Sequence, residues 1–514
     1  MNTKHSAKDS FESVARIAKK LKNPCYILEE EKLRENLEIL GAVKAQSGAK
    51  ILLALKGFAF WSSFKMVAKY LDGITASGYY EARLGLEEFR KYNKKAIISV
   101  FSPAFSGAEI RKIAPFANHI IFNSFNQMQK FRACVAKNAK GAKMPHIALR
   151  LNPLYSEVEP EIYNPCAKFS RLGITPSAFE AGLKAHSLKG VNGLHFHTHC
   201  EQNSDALERT LEAVERHFGK YIADMEWINF GGGHHITRKD YDLNRLVRVI
   251  SRFRKKYGVE VILEPGEAVG WQCGVLVGEV VDIVRNGVDI AITNLSAATQ
   301  MPDCLEMPYT PEIVGARIVS LNSPLGAPCG DFENLGRFAD APVQSHAPNS
   351  QKTSQFPPQI LELDSSKSDS NKSNESSLRG NAEAIQNKNK SARSANPCKS
   401  FCYFWLSPKV ESPLPLNSNL PNNAPKRELP QDNAHFYRLG CPSCLAGDII
   451  GDYVFEKPLK IGDKIIIKDM IHYTIVKNNL FNGIPLPSLG ILKKNGDFKI
   501  VRKFGYNDYK KRNG

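Results

Sequence analysis

GLHFHTHCEQNSDALERTLEAVERHFGKYIADMEWINFGGGHH, residues 193–235, holds two short β-like runs, GLHFH (193–197) and WINF (227–230), the second followed at once by three glycines. A short apolar run bounded by polar or glycine-rich sequence reads as a buried strand, and the gap between these two is long enough for a crossover helix. Working outward, the same unit recurs. ILLAL (51–55), GITA (73–76), IISVF (97–101), HIIFN (119–123), HIALRL (146–151) and VILEP (261–265) complete a set of eight. Most gaps hold an amphipathic stretch, such as SFKMVAKYL (63–71) or YYEARLGLEEFRKY (79–92). Eight β-α units in succession predict a (β/α)8 barrel of the TIM type over residues 31–265.

The pattern changes after the barrel. VGEVVDIVRNGVDIAITNLS (277–296), with a turn at Asn286-Gly287, reads as an antiparallel hairpin. GDYVFEKPLKIGDKIIIKDMIHYTIV (451–476), with turns at Gly451-Asp452 and Gly462-Asp463, reads the same way. These segments predict a C-terminal antiparallel β-barrel domain built from 266–321 and 434–505, making the fold class α/β plus β. The apolar PCYILEE (24–30) is expected to add a strand to it. Residues 1–23 are expected to form a helical extension and 506–514 a short tail. Between the two halves of the β domain, 322–433 is rich in Ser, Asn, Pro and Gln. It is too poor in apolar side chains to offset the entropy of ordering, so a long disordered insert is expected. One apolar island, SFCYFWLSPKV (400–410), interrupts it.

The chain of 514 residues carries a formal charge of +17 and is 42% hydrophobic. Acids and bases nearly balance inside the insert, so the basic excess belongs to the rest. No basic block interleaved with aromatics is present, which argues against a nucleic-acid platform. No apolar run is long enough for a membrane span, and the N-terminus lacks the apolar core of a secretory signal. The 11 cysteines are scattered apart from Cys441-x-x-Cys444, as expected of reduced thiols in the cytoplasm. No second ligand pair accompanies that couple, so no metal site is expected.

In such a barrel the chemistry sits at the C-terminal ends of the strands. The first run ends in Lys56, the second in Ser77 and the third in Ser102. The fifth holds Arg150 and Asn152, and the sixth ends in His197. The seventh is followed by Gly231, Gly232 and Gly233, and the eighth ends in Glu264-Pro265-Gly266-Glu267. Each has an ordinary explanation: a snorkelling lysine, a core histidine, a tight turn, an internal salt bridge. Together they meet the needs of pyridoxal phosphate. A partly desolvated lysine suits Schiff-base chemistry, an imidazole can stack on a ring, and a glycine-rich backbone can approach a phosphate. A buried carboxylate can pair with a pyridinium nitrogen.

The strings ILLALKGFAFW (51–61), TASGYYEARLG (75–85), SRLG (170–173), LHFHTHCEQN (194–203), NFGGGHH (229–235), EPGEAVGW (264–271), MPDCLEMPY (301–309), YRLGCPSCLAGDIIGDY (437–453) and HYTIVKNNLFNGIPLPS (472–488) resemble the fold-type III pyridoxal-phosphate decarboxylases. They are most similar to the carboxynorspermidine/carboxyspermidine decarboxylase branch. The resemblance covers roughly 24–320 and 436–505.

It implies that Lys56 binds the cofactor as a Schiff base, that His197 stacks on its ring, and that Glu264 keeps the ring nitrogen protonated. Gly231, Gly232 and Gly233 would hold the phosphate with Tyr473. It implies an obligate homodimer in which Cys444, with Asp448 nearby, enters the partner's site. Glu267, Asp303, Glu306 and Asp448 would receive a polycationic polyamine, and Arg171 its carboxylate or the subunit boundary. The implied reaction is decarboxylation of carboxyspermidine or carboxynorspermidine to spermidine or norspermidine. Alternatives are decarboxylation of diaminopimelate or a basic amino acid, a non-catalytic regulatory relative, and a racemase. The chain departs from the family pattern at His199, Asn294, Gln300 and Cys441, and by its insert.

Overall fold

The computed structural model describes residues 12–139, 144–307, 309–319 and 434–514. The insert at 322–433, its island at 400–410 and the first eleven residues of the expected N-terminal extension lie outside the described residues.

The first strand, β1 (Cys25–Glu29), precedes the barrel. Then follow β2 (Lys50–Ala54), β3 (Gly73–Ala76), β4 (Ile97–Ser102), β5 (His119–Phe122), β6 (His146–Leu151), β7 (Gly193–Phe196), β8 (Trp227–Asn229) and β9 (Glu260–Leu263). These eight pair in parallel in chain order, and β9 returns to β2 through Lys50↔Ile262 and Ile51↔Leu263, closing the barrel. Each expected run coincides with a strand. Residue alternation divides the side chains between two faces. Ile51 and Leu53 join the large core beneath the helices, whereas Leu52 clusters with Ile121, Ala148, Trp227 and Ile262 from four other strands.

The crossover helices carry their own start and stop signals. Helix Ser204–Ile222 buries Leu207, Leu211, Val214 and Phe218, a stripe at helical spacing. In helix Leu243–Tyr257, the Asp242 side chain accepts the amide of Arg245 at 2.9 Å and caps the start. Gly258 at φ 71° ends it.

The second sheet has nine strands: β1, β10 (Gly274–Asn286), β11 (Val288–Thr293), β12 (Ala316–Val319), β13 (His435–Gly440), β14 (Ile449–Phe455), β15 (Lys464–Lys468), β16 (Ser488–Leu492) and β17 (Phe498–Arg502). Their order is β12-β14-β13-β11-β10-β1-β16-β17, with β15 also on β10. Two expectations need correction. The sheet is mixed, not antiparallel, because β1 pairs β16 and β11 pairs β13 in parallel. A hairpin must be antiparallel, as in β10–β11, but strands from distant parts of the chain carry no such constraint. Gly451-Asp452 is also no turn. Both lie within β14, where Asp452 faces Arg438 of β13 and pairs with its guanidinium at 2.7 and 3.0 Å. A Cβ on Gly451 would stand 2.5 Å from Thr310, so close packing accounts for this glycine. Residues 12–18 are helical, and their Val14, Ile17 and Ala18 pack on Cys25, Val277 and Ile466 of the sheet.

Candidate active site

The barrel brings five strand ends to one rim. Lys56 follows β2, and its Nζ lies 3.4 Å from Nε2 of His197, just past β7. The lysine keeps some solvent access, but protein atoms crowd around its amine. That burial is the main cause lowering its pKa, and the nearby charge of Arg150 adds to it while Glu264 opposes. The amide of Gly232 donates to Nδ1 of His197 at 2.8 Å. Nδ1 therefore carries the lone pair, and burial followed by the Lys56 and Arg150 charges holds the ring well below the usual histidine range. The neutral ring's proton sits on Nε2, facing the lysine.

Glu264, just past β9, is 7% exposed. It accepts from Asn229 Nδ2 at 2.7 Å and meets His195 Nε2 at 3.5 Å. Burial pushes its pKa up, but His195, Asn229 and Thr75 outweigh that and hold it below the ordinary glutamate value. The result is a buried anion at the barrel mouth. Asn229 also accepts the amide of Gly231 at 2.8 Å, tying the carboxylate to the glycine loop.

The glycines are dictated by what surrounds them. Gly231 and Gly233 have φ of 72° and 80°. A Cβ on Gly231, Gly232 or Gly233 would stand 2.5, 2.3 or 2.0 Å from the carbonyl oxygens of Phe196, Glu264 and His199. Among the described residues, the amides of Gly233 and His234 donate to no protein acceptor. Buried or half-buried amides are rarely left so unless a ligand takes them, and two adjacent ones suit an anion. A low-pKa lysine, a buried carboxylate and this amide pair fit pyridoxal phosphate.

A second group of residues leads away from Lys56. Glu267 opens a short helix, Glu267–Gly270. Its carboxyl is raised to about 7 by burial, with His472 opposing and Glu201, Asp469 and Asp303 adding. The phenol of Tyr473 is raised by burial and then by Glu267, Cys200 and Asp303, which places it in the same recess. Asp303 and Glu306, one helical turn apart, both bind the ammonium of Lys477. Arg171 is exposed but close enough to Arg150 to lower the latter's pKa, chiefly a burial effect, to about 10.

Two expected site residues lie elsewhere in the chain's own structure. Asp448 is 2% exposed, and both of its oxygens are taken, by Ser296 Oγ at 2.7 Å and by the Ala298 amide at 2.8 Å. It braces the start of the short helix Ala297–Gln300, which argues against direct substrate contact. Cys444 is exposed on the β13–β14 loop, its amide held by Asn482 Oδ1 at 2.8 Å.

The family departures are packing positions. Asn294 bonds the backbone of Glu279, Gln300 that of Pro485 and Ser296, and Cys441 the amide of Ala297. His199 is buried against His234, ring centroids 4.9 Å apart.

Asn229, His195, Glu201 and Lys477 carried no role in the sequence. His195 had a signal, since it shares a strand face with His197 two residues on. The decisive partners of the other three come from distant segments: Glu264 for Asn229, Glu267 for Glu201, and Asp303 and Glu306 for Lys477.

A closed parallel barrel with a lysine, an anionic glutamate and a glycine loop on its C-terminal rim defines a pyridoxal-phosphate enzyme of the barrel class. The pyridoxal-binding domain of the pyridoxal-dependent decarboxylases matches residues 96–270. Carboxynorspermidine/carboxyspermidine decarboxylase of Campylobacter jejuni is 39% identical, over 96% of this chain and 99% of its own. Carboxyaminopropylagmatine decarboxylase of Synechocystis is 32% identical over 96% of each. A crystal structure of the Campylobacter jejuni carboxynorspermidine decarboxylase with norspermidine superposes at a TM-score of 0.68. It is 37% identical, over 96% of this chain and all of that one. Diaminopimelate decarboxylase of Helicobacter pylori, at 14% identity and a TM-score of 0.64, shares the fold. The chain belongs to the carboxynorspermidine/carboxyspermidine decarboxylase family of pyridoxal-dependent carboxy-lyases. Among the described residues no helix is long and apolar enough to cross a membrane.

Proposed function

We propose that this chain decarboxylates carboxyspermidine or carboxynorspermidine, releasing spermidine or norspermidine in polyamine biosynthesis. It would do so as a cytoplasmic homodimer with its sites at the subunit interface. The observation that carries this is the approach of Lys56 to His197 beside the buried anion of Glu264, with an acidic recess leading away from them.

Pyridoxal phosphate, when bound, supplies an electron sink for the pair left when the carboxylate departs. The chain's residues do the rest. Lys56, kept largely unprotonated and nucleophilic by its lowered pKa, would hold the cofactor. His197 is kept neutral, with its Nε2 proton toward that amine, and presents a ring face for stacking. Glu264 is held anionic by His195 and Asn229 and would keep the ring nitrogen protonated. Gly231, Gly232 and Gly233 bring backbone close to the phosphate, and Tyr473 closes the recess. Glu267, Asp303 and Glu306 attract the ammonium groups of the substrate, and Arg171 its carboxylate or the partner surface.

The partner subunit's Cys444 is assigned to proton return at the reacting carbon. Its exposure supports an intersubunit role, and Asp448 serves as a positioning residue beneath its loop.

Product analysis of the purified protein with pyridoxal phosphate tests the reading, using carboxyspermidine, carboxynorspermidine and diaminopimelate. Spermidine or norspermidine is expected. Carbon dioxide from diaminopimelate but not from the carboxy-triamines overturns it. For the shared site, Lys56→Met and Cys444→Ala variants, each inactive alone, should regain about a quarter of wild-type activity when mixed and allowed to exchange subunits. No recovery places Cys444 outside the partner's site.

A further inference from the structure

Lys477 ends the short helix Tyr473–Lys477, whose first residue lines the recess beside Glu267. Its ammonium sits between the carboxylates of Asp303 and Glu306. They are two of the acids assigned above to the substrate's ammonium groups, and the two next to Lys477. Asp303 acts electrostatically on Glu267 and Cys200, and Cys200 in turn on Lys56, so the acids continue the recess that begins at the reacting amine. Chemically, a lysine side chain ends as an aminopropyl or aminobutyl arm does, in a primary ammonium on a methylene chain. A second ammonium brought to the same pair of carboxylates would be repelled by the charge of Lys477 and would have to compete with it. The Lys477 side chain is also 30% exposed, so it can turn toward water without burying a charge.

We propose that Lys477 is an intramolecular stand-in for the substrate's distal ammonium, one that holds Asp303 and Glu306 between turnovers and must leave before the substrate can bind them. The inference rests on the proposed function and adds regulation of that site. The lysine lowers affinity for substrate and product alike. It thereby limits product retention and keeps two acids matched while the recess is free of polyamine. Because the pair is partly exposed, its contribution is modest.

The test compares holoenzyme with Lys477→Met, which keeps the apolar stem and loses the charge. Lys477→Gln is the second neutral variant should Met fold poorly, and Lys477→Arg the charged control. Two quantities are measured: KM for carboxyspermidine, and the rise in Tm produced by spermidine. Removing an internal competitor should lower KM by about three- to tenfold and enlarge the spermidine-induced Tm rise, whereas Arg should leave both near wild type or weaken binding. A damaged recess moves KM in the opposite direction, so the sign separates competition from a structural role. Unchanged or weaker spermidine binding in both neutral variants overturns the inference while leaving the proposed function intact. Wild-type protein that does not act on carboxyspermidine overturns both.

Discussion

The two ends of the cleft are built on different physical terms. At the cofactor end, groups are locked together. Glu264 is held by Asn229 and His195, Gly231 by Asn229, Gly232 by His197, and a Cβ on any of the three glycines would strike backbone. At the substrate end the matching is between charges, and part of it is exposed: Lys477 with Asp303 and Glu306, His472 with Asp469 and Glu267. The first arrangement preorganises one geometry for one permanent guest. The second presents charges that, on the proposed function, a flexible polycation would take over from the protein's own side chains. A cofactor that stays demands shape, while a substrate that must arrive and leave is better served by exchangeable electrostatics.

The two ends should respond differently to substitution. The largest effect is expected of Lys56→Met. Activity should fall by at least about three orders of magnitude, roughly 4 kcal/mol of barrier, and borohydride should no longer fix the cofactor to the chain. Mass mapping of the reduced wild-type protein should place the adduct on Lys56; an adduct elsewhere breaks the account of the rim. Gly233→Ala comes next, because it combines a left-handed φ with a contact of 2.0 Å to the His199 carbonyl. A loss of about 3 kcal/mol in stability and weaker cofactor retention should appear in thermal melts with and without pyridoxal phosphate.

Asp448→Ala should cost about 2 kcal/mol of stability through its lost bonds to Ser296 and Ala298. A large loss of activity with unchanged Tm would return Asp448 to the chemistry. The smallest effect concerns pH. Burial pushes the Glu267 carboxyl up to about 7 while His472 opposes, and His472 is itself raised by Asp469 and Glu267 against the effect of burial. The carboxyl therefore takes up its proton as pH falls from about 8 to about 6. Protonating either member of the pair makes the recess less negative, so KM for a cationic substrate should rise by several fold as pH falls over that interval. Glu267→Gln should flatten much of the profile.

Much of the barrel was legible because each strand is short, apolar and separated from the next by an amphipathic helix. Those patterns are local and do not depend on the rest of the molecule. The rim residues were legible for a related reason: position along a strand decides which end of the barrel a side chain occupies. The β domain was less so. Its hairpin at Asn286-Gly287 follows from a two-residue turn, but the parallel partners β16 of β1 and β13 of β11 come from distant parts of the chain, as in Cys25↔Ser488 and Ile290↔Arg438. Gly451-Asp452 misled because a glycine needed for clearance from Thr310 has the same letters as one needed for a turn.

By itself, then, the order of residues determined the eight-fold repeat, the lysine at the end of one strand and the glutamate at the end of another. Periodicity and strand ends are properties of neighbouring residues. Tertiary structure alone decided that Asn229 bridges Glu264 and Gly231, that Asp448 is a brace, and that Lys477 occupies the acids of the recess. Those relations join segments separated by 35, 152 and 174 residues, and a charge or hydrogen bond depends on distance in space, which spacing along the chain does not encode.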